Sequence, residues 1–283
     1  MRRMLGTLKR VDIVRVCDGA RRADVDCAAA EEPLEVRLHG RPFAVIMRTP
    51  GADLALTAGF LLAERVLKDA DDLLTIEHCQ EPVLTAGAAG AEIHPENIVN
   101  VTLTGESSAG LEQAIAGKRQ VMGNASCGLC GRLTIASLKT DVAPLPFDRS
   151  VSPAVIARLP DRLRETQAVF EQTGGLHAAG LFTLDGAVET VAEDIGRHNA
   201  VDKVIGRMVI ADRLPLSDRI LFVSGRTSFE IVQKAALAGI PVVGAVSAAS
   251  SLAVELARAI GMTLIGFARG GTFTIYSHPE RVA

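Results

Sequence analysis

The chain of 283 residues has no tryptophan, no long basic run and a formal net charge of only −3. Those absences argue against a dedicated nucleic-acid binder, which presents a basic face. The opening residues, Met1 to Arg10, are basic but lack an apolar core, so no secretory signal is expected there. The most apolar stretch, Ile240 to Ala268, is interrupted by Pro241, Glu255 and Arg258. Buried strand–helix–strand explains it better than a membrane span, and no membrane partner is expected. There is no internal repeat and no low-complexity segment. The five cysteines, Cys17, Cys27, Cys79, Cys127 and Cys130, are odd in number. With no secretory signal, a reducing cytoplasm is the expected compartment and a disulfide framework is not expected. Reactive or metal-bound thiols are the options left.

What is present centres on Cys127-Gly128-Leu129-Cys130-Gly131, two thiols two residues apart among glycines. Such a pair serves as half of a zinc site, as a redox dithiol or as a nucleophilic thiolate carrying a group. Zinc needs further ligands, yet there is no second Cys-x-x-Cys and no His-x-x-x-His. A zinc nucleobase deaminase needs His-x-Glu followed by Pro-Cys-x-x-Cys, and Ser126 precedes this pair. A thioredoxin-type dithiol has an aromatic neighbour and often a proline, whereas this one has glycines. A mobile loop is expected, which suits a thiol that meets two partners. The three chemistries stay open at this point.

The pattern along the chain predicts α/β architecture in two domains, residues 1–118 and 119–283. Residues 1 to about 32 show little periodicity, and Cys17 and Cys27 have no neighbour at a metal-like spacing. Leu34, Val36 and Leu38 alternate with polar residues, and His39-Gly40-Arg41-Pro42 turns into Phe43 to Met47, a hairpin signal. Asp53 is placed to cap a helix running to about Leu67, and strands are expected at Leu73 to His78 and Ile98 to Leu103. Asp141 to Ser152 reads as a linker and Pro153 to Phe170 as an amphipathic helix. Two strands joined by Asp185-Gly186 follow. From Arg197 onward, helices and strands alternate as in parallel βαβ units, predicting a mainly parallel sheet.

In such sheets, ligands gather beyond the carboxyl ends of the strands. Ser224-Gly225-Arg226 follows one predicted strand, with Thr227 and Glu230 spaced as a capping box. Ser247-Ala248-Ala249-Ser250-Ser251 follows the next, and Phe267-Ala268-Arg269-Gly270-Gly271-Thr272 ends a third. Hydroxyls, helix N-termini and guanidiniums suit an anion such as phosphate. Plain helix capping explains the hydroxyls, and a turn explains the glycines, but neither explains Arg226 or Arg269. The densest polar run, Glu193 to Lys203, sets His198 and Asp202 four residues apart, so that the carboxylate could orient the imidazole.

Cys127-Gly128-Leu129-Cys130-Gly131, Thr173-Gly174-Gly175-Leu176-His177, the Glu193–Lys203 run, Ser224-Gly225-Arg226 and Gly266-Phe267-Ala268-Arg269-Gly270 together resemble the FdhD/NarQ family. These are accessory sulfurtransferases of formate dehydrogenase. The resemblance runs from about Pro33 to Arg281. It implies a three-layer cytidine deaminase-like domain in the C-terminal half, preceded by a smaller α+β domain. It also implies sulfur transfer from a cysteine desulfurase to the molybdenum (or tungsten) bis-guanine-dinucleotide cofactor, molybdenum bis(molybdopterin guanine dinucleotide) in the molybdenum form. By motif match, Cys127 carries the persulfide and Cys130 assists. Phe267 to Thr272 binds the acceptor, together with Ser224, Gly225, Arg226 and His198. No permanently bound cofactor is implied, and a GDP-like nucleotide could occupy the site. The expected partners are the desulfurase, the catalytic subunit of formate dehydrogenase and a second copy in a homodimer. One departure is Ala248-Ala249-Ser250-Ser251, where the family pattern has Ala-Pro-Thr-Ser.

Overall fold

The structure, a computed structural model, describes residues 6–80, 83–84, 92–105 and 144–283. Leu34, Val36 and Leu38 all point into the core from β3 (Glu32–Leu38), as their alternation predicts. That strand pairs with β4 (Arg41–Arg48) on one side and β8 (Ile98–Leu103) on the other, with β5 (Leu73–His78) beyond β8. Helix α1 (Asp53–Ala63) follows β4. Asp53 is its first residue and does not cap it. Its carboxylate instead takes two bonds from buried Arg48, each 3.0 Å.

Ahead of this unit lies a ribbon that the sequence pattern misses, β1 (Leu8–Cys17) and β2 (Ala20–Ala29). Its side chains are mostly exposed, so neither face imposes alternation of apolar residues. The local signal was the turn Asp18-Gly19, whose φ angles of 51° and 81° suit a two-residue hairpin. Short strands β6 (Val83–Leu84) and β7 (Glu92–Ile93) pair within a stretch expected to be loop.

The second sheet has the order β10-β9-β11-β12-β13-β14. Its strands are β9 (His177–Thr183), β10 (Val188–Asp194), β11 (Arg219–Val223), β12 (Val242–Ala245), β13 (Thr263–Arg269) and β14 (Thr272–Ser277). The expectation of a mainly parallel sheet is corrected here. Only β11–β12 and β12–β13 are parallel, and the other three ladders are antiparallel. Short turns through Asp185-Gly186 and Gly270-Gly271 account for two of these ladders, because so short a connection joins only antiparallel strands; β9 lies antiparallel to β11 as well, with β10 and α4 between them in the chain.

Both faces of this sheet are covered, which is why its strands read as continuous apolar runs. Ile220, Phe222 and Val242 face α2 (Pro153–Arg164) in one cluster with Ile156, Leu159 and Leu163. Leu221, Val223 and Val243 face the opposite layer of α4 (Arg197–Ile210), α5 (Phe229–Leu237) and α6 (Ser251–Ile260). That second cluster continues through α1 into Leu34, Val36 and Val101, so one core joins the two sheets. The amphipathic helix expected to reach Phe170 instead breaks after Arg164 and restarts as α3 (Ala168–Thr173). The described part of the expected linker is tied down, with Leu145 N donating to Ile260 O and Val151 N to Arg281 O. The expected boundary at residues 118 and 119 lies outside the described residues, as does the short helix expected after Cys130. Among the described residues, no helix is long and apolar enough to cross a membrane.

Candidate functional site

Strand direction brings the predicted segments to one edge. β11, β12 and β13 run in parallel, so Ser224-Gly225-Arg226, the Ser247 loop and the Phe267–Arg269 stretch emerge on the same side. β9 runs the other way and begins at that edge with His177, and β10 returns to it at Asp194, where α4 starts. The segments are stitched together. Ser224 N donates to Ala178 O and Thr227 N to Ala248 O, while Ser250 N donates to Thr227 O and Phe267 N to Ser247 O. These backbone N–H groups are therefore engaged within the protein. The Ser224 hydroxyl accepts from Ala178 N at 2.9 Å, which leaves its proton to donate.

Two guanidiniums stand at this edge with no partner among the described residues, Arg226 and Arg269, both exposed. Arg197 sits beside the β11 end at the start of α4, 4.0 Å from where a Cβ on Gly225 would lie, with its Nε 3.4 Å from His198 Nε2. Gly225 lets the β11 end approach His177, for a Cβ there would lie 3.4 Å from Nδ1. Burial, then the charges of Arg197 and His198, lower the His177 pKa below its ordinary value, against a smaller pull from Asp194.

The Glu193–Lys203 run, expected to be a polar functional cluster, is largely a buried brace. Lys203 Nζ lies 2.7 Å from Asp194 Oδ2 and donates to Thr49 O at 2.8 Å. Asp194 also accepts from Gly196 N, Asn199 Nδ2 and Thr49 N. Glu193 caps α3, accepting from Val169 N at 3.0 Å and Phe170 N at 2.8 Å. The expected His198–Asp202 pairing is not formed. Asp202 accepts twice from buried Lys234, at 2.6 and 2.8 Å, while burial pushes its carboxyl up against that pull. His198 Nε2 instead meets Glu230 Oε2 at 2.9 Å and Ser228 Oγ at 3.2 Å. This also corrects the capping box: α5 starts after Ser228 without a side-chain cap, and Glu230 serves His198. Burial raises the Glu230 pKa, but the bond and charge of His198 outweigh it and hold the carboxyl below its ordinary value.

Gly270 and Gly271, with φ of 57° and 78°, form the β13–β14 turn, so the turn explanation of these glycines holds. Arg269 and Thr272 pair at its base. Phe267 is a non-glycine at φ 51°, in a bulged stretch of β13, and it is exposed. Strain of this kind costs of order 1–3 kcal/mol and collects at functional sites. Ala268 is buried beneath it. The thiols Cys127 and Cys130 lie outside the described residues.

Beside this edge, on the α2 face, a cavity of about 590 Å³ opens between α2, α3 and the starts and ends of β9, β11 and β12. His177, Ser224 and Gln167 line it. Gln167 was not singled out from the sequence, and no motif surrounds it.

A three-layer α/β unit whose strand edge carries two guanidiniums unpaired among the described residues is suited to an anionic ligand. Comparison with known proteins makes this specific. The FdhD/NarQ family profile matches residues 29–283, and the chain belongs to that family. It is 46% identical over 282 residues to the sulfur carrier protein FdhD of Streptomyces avermitilis, covering 97% of this chain and 95% of that one. Against the protein of the same name from Streptomyces coelicolor the identity is 48% over 279 residues, with the same coverage. Against that of Mycobacterium tuberculosis it is 46% over 257 residues, covering 90% of this chain and 91% of that one. A crystal structure from Desulfotalea psychrophila, assigned as a formate dehydrogenase accessory protein, shares the fold at a TM-score of 0.73. It is 23% identical and covers 98% of this chain and 100% of its own.

Proposed function

We propose that this protein is a cytoplasmic sulfur carrier for formate dehydrogenase. It takes persulfide sulfur from a cysteine desulfurase and passes it to the molybdenum or tungsten bis-guanine-dinucleotide cofactor bound as substrate. The Cys127 thiolate attacks the outer sulfur of the donor persulfide. One S–S bond forms at Cys127, one breaks in the donor, and the donor leaves as its thiolate. Cys130 assists, and the outer sulfur is available for onward transfer because persulfidation is reversible. The acceptor rests at the edge formed by Ser224-Gly225-Arg226, His198 and Phe267-Ala268-Arg269-Gly270-Gly271-Thr272, on a cytidine deaminase-like C-terminal domain (119–283) in a homodimer.

The observation that carries this reading is the pair of exposed guanidiniums, Arg226 and Arg269, without a partner among the described residues at one strand edge, in a chain whose relatives are named sulfur carriers. Free guanidiniums complement a polyanionic dinucleotide. The test is incubation with a cysteine desulfurase and cysteine, followed by mass spectrometry. A one-sulfur adduct is expected on wild type and not on Cys127→Ala; a full adduct on that variant overturns the assignment. A Cys127→Ala, Cys130→Ala double variant that still supports formate dehydrogenase in cells would make this protein a binding module.

A further inference from the structure

Three side chains meet where α4 and α5 begin. Glu230 Oε2 lies 2.9 Å from His198 Nε2 and accepts from the Ser228 hydroxyl at 3.0 Å, while Ser228 Oγ is 3.2 Å from the same ring nitrogen. The His198 and Glu230 side chains are only 8% and 11% exposed. Burial raises the Glu230 pKa, yet the bond and charge of His198, the Ser228 hydroxyl and the charge of Arg197 hold it below its ordinary value. The group is therefore a carboxylate at neutral pH. A carboxylate only accepts, so the 2.9 Å contact requires a proton on Nε2. With that proton in place Nε2 has no lone pair for Arg197 Nε, 3.4 Å away, which acts as a neighbouring charge.

This arrangement withholds Ser228 from helix capping. It stands at the N-cap position of α5, where a serine ordinarily accepts from a first-turn N–H, but its hydroxyl is turned to Glu230 and the helix has no side-chain cap. What is gained is a tie between two separate elements. Ser228 and Glu230 follow closely on Ser224-Gly225-Arg226, whereas Arg197 and His198 open α4. The tie holds the start of α4 against the loop that carries Arg226.

We infer that Glu230 is a positioning residue of the acceptor edge, acting through His198 with Ser228 as its second tie. It dictates which ring nitrogen carries the fixed proton, orients the imidazole, and keeps Arg197 and the Arg226 loop in one arrangement. The link to the acceptor rests on the function proposed above; the hydrogen-bonded geometry does not. A buried pair serving the fold alone would also hold α4 to α5. The two roles differ in whether a ligand at the edge feels the loss of Glu230 through the ring of His198.

The test uses the full chain with GDP as the probe, in a double-mutant cycle of Glu230→Ala and His198→Gln read by calorimetry. Glu230→Ala is expected to weaken GDP binding about tenfold, and to add little once His198 is replaced. Glu230→Gln keeps an accepting oxygen but not the charge, and is expected to lose about threefold, since a charge-assisted bond is roughly twice as strong as a neutral one. Long-range proton–nitrogen NMR of the histidine rings supplies a readout that a purely structural brace would not move. The His198 signals, assigned by their absence from His198→Gln, are expected to show the proton held on Nε2 in wild type and shared between the ring nitrogens in Glu230→Ala. Losses that multiply in the double variant overturn the inference, as do ring signals that stay unchanged in Glu230→Ala. If Glu230→Ala melts below the working temperature, Glu230→Gln takes its place in the cycle and decides. GDP that fails to bind wild type overturns the acceptor edge and this role together. GDP that binds wild type and Glu230→Ala equally overturns this role and leaves the edge standing.

Discussion

Gly206 on α4 lies directly against Gly59 on α1, where the two helices cross backbone to backbone. A Cβ on Gly206 would sit 1.8 Å from Ala55 O and 2.6 Å from Gly59 N, and one on Gly59 would sit 2.0 Å from Asp202 O. Those obstacles are main chain and cannot rotate away, so an added methyl must push the helices apart. Overpacking of this kind costs about 1–3 kcal/mol or more, against less than about 1 kcal/mol returned by the better helix propensity of alanine. Gly206→Ala is therefore expected to lower unfolding stability by about 2 kcal/mol. Gly175→Ala, whose Cβ would make only ordinary contact at 3.7 Å, is the control and is expected to be near neutral. Urea denaturation of both variants checks the contrast.

The Asp194–Lys203 pair braces the same region, with side-chain exposures of 0% and 3%. Removing one partner leaves the other charge buried and uncompensated, which costs about 3–5 kcal/mol. Lys203→Met should therefore destabilise severely, and adding Asp194→Asn should recover part of the loss. A double-mutant cycle measures the coupling; purely additive losses would show that the two charges do not stabilise one another.

Acid should weaken the fold in two stages. The folded-state pKa of His177 is depressed, so below its ordinary value of 6.5 the unfolded chain takes up the proton first. Stability then falls with pH from about 6.5 until the folded-state value is passed. Glu230 is also depressed, so its contribution is present above its ordinary value of 4.5 and is lost at lower pH as the folded-state value is crossed. Melting temperatures across this range should fall less steeply below pH 6.5 in His177→Gln than in wild type. Parallel curves would remove His177 as the source.

Much of this architecture is legible in the residues, and the exceptions share a physical cause. Strands such as Arg219–Val223 declare themselves because burial on both faces demands an unbroken apolar run. The β1–β2 ribbon does not, because side chains facing water on both sides obey no pattern. His198 was paired with Asp202 because helical spacing names neighbours on one helix. Its actual partner, Glu230, arrives on α5, and only the packing of α4 against α5 brings it there. For the same reason Arg226 and Arg269 could be singled out at strand ends, whereas Gln167 could not. Its position comes to light only through a cavity walled by segments far apart in sequence. The thiol pair remains legible only through its motif.

The arginine edge makes a prediction of its own. Arg226 and Arg269 are exposed, so each contact to a phosphate acts through water and salt, and each contributes about 0.2–1 kcal/mol rather than the value of a buried pair. Arg226→Ala and Arg269→Ala should thus each weaken GDP binding only about 1.4-fold to fivefold. If the two guanidiniums act on separate phosphate oxygens, the double variant should lose the product of the single effects. Screening gives the sharper readout. Raising salt shortens the reach of exposed charges to about 8 Å at physiological ionic strength and to about 3 Å at 1 M. GDP affinity of wild type should therefore fall steeply with added salt, and that of the double variant much less. Calorimetry at low and high salt separates the cases: equal salt dependence in wild type and double variant would mean that the phosphates bind elsewhere.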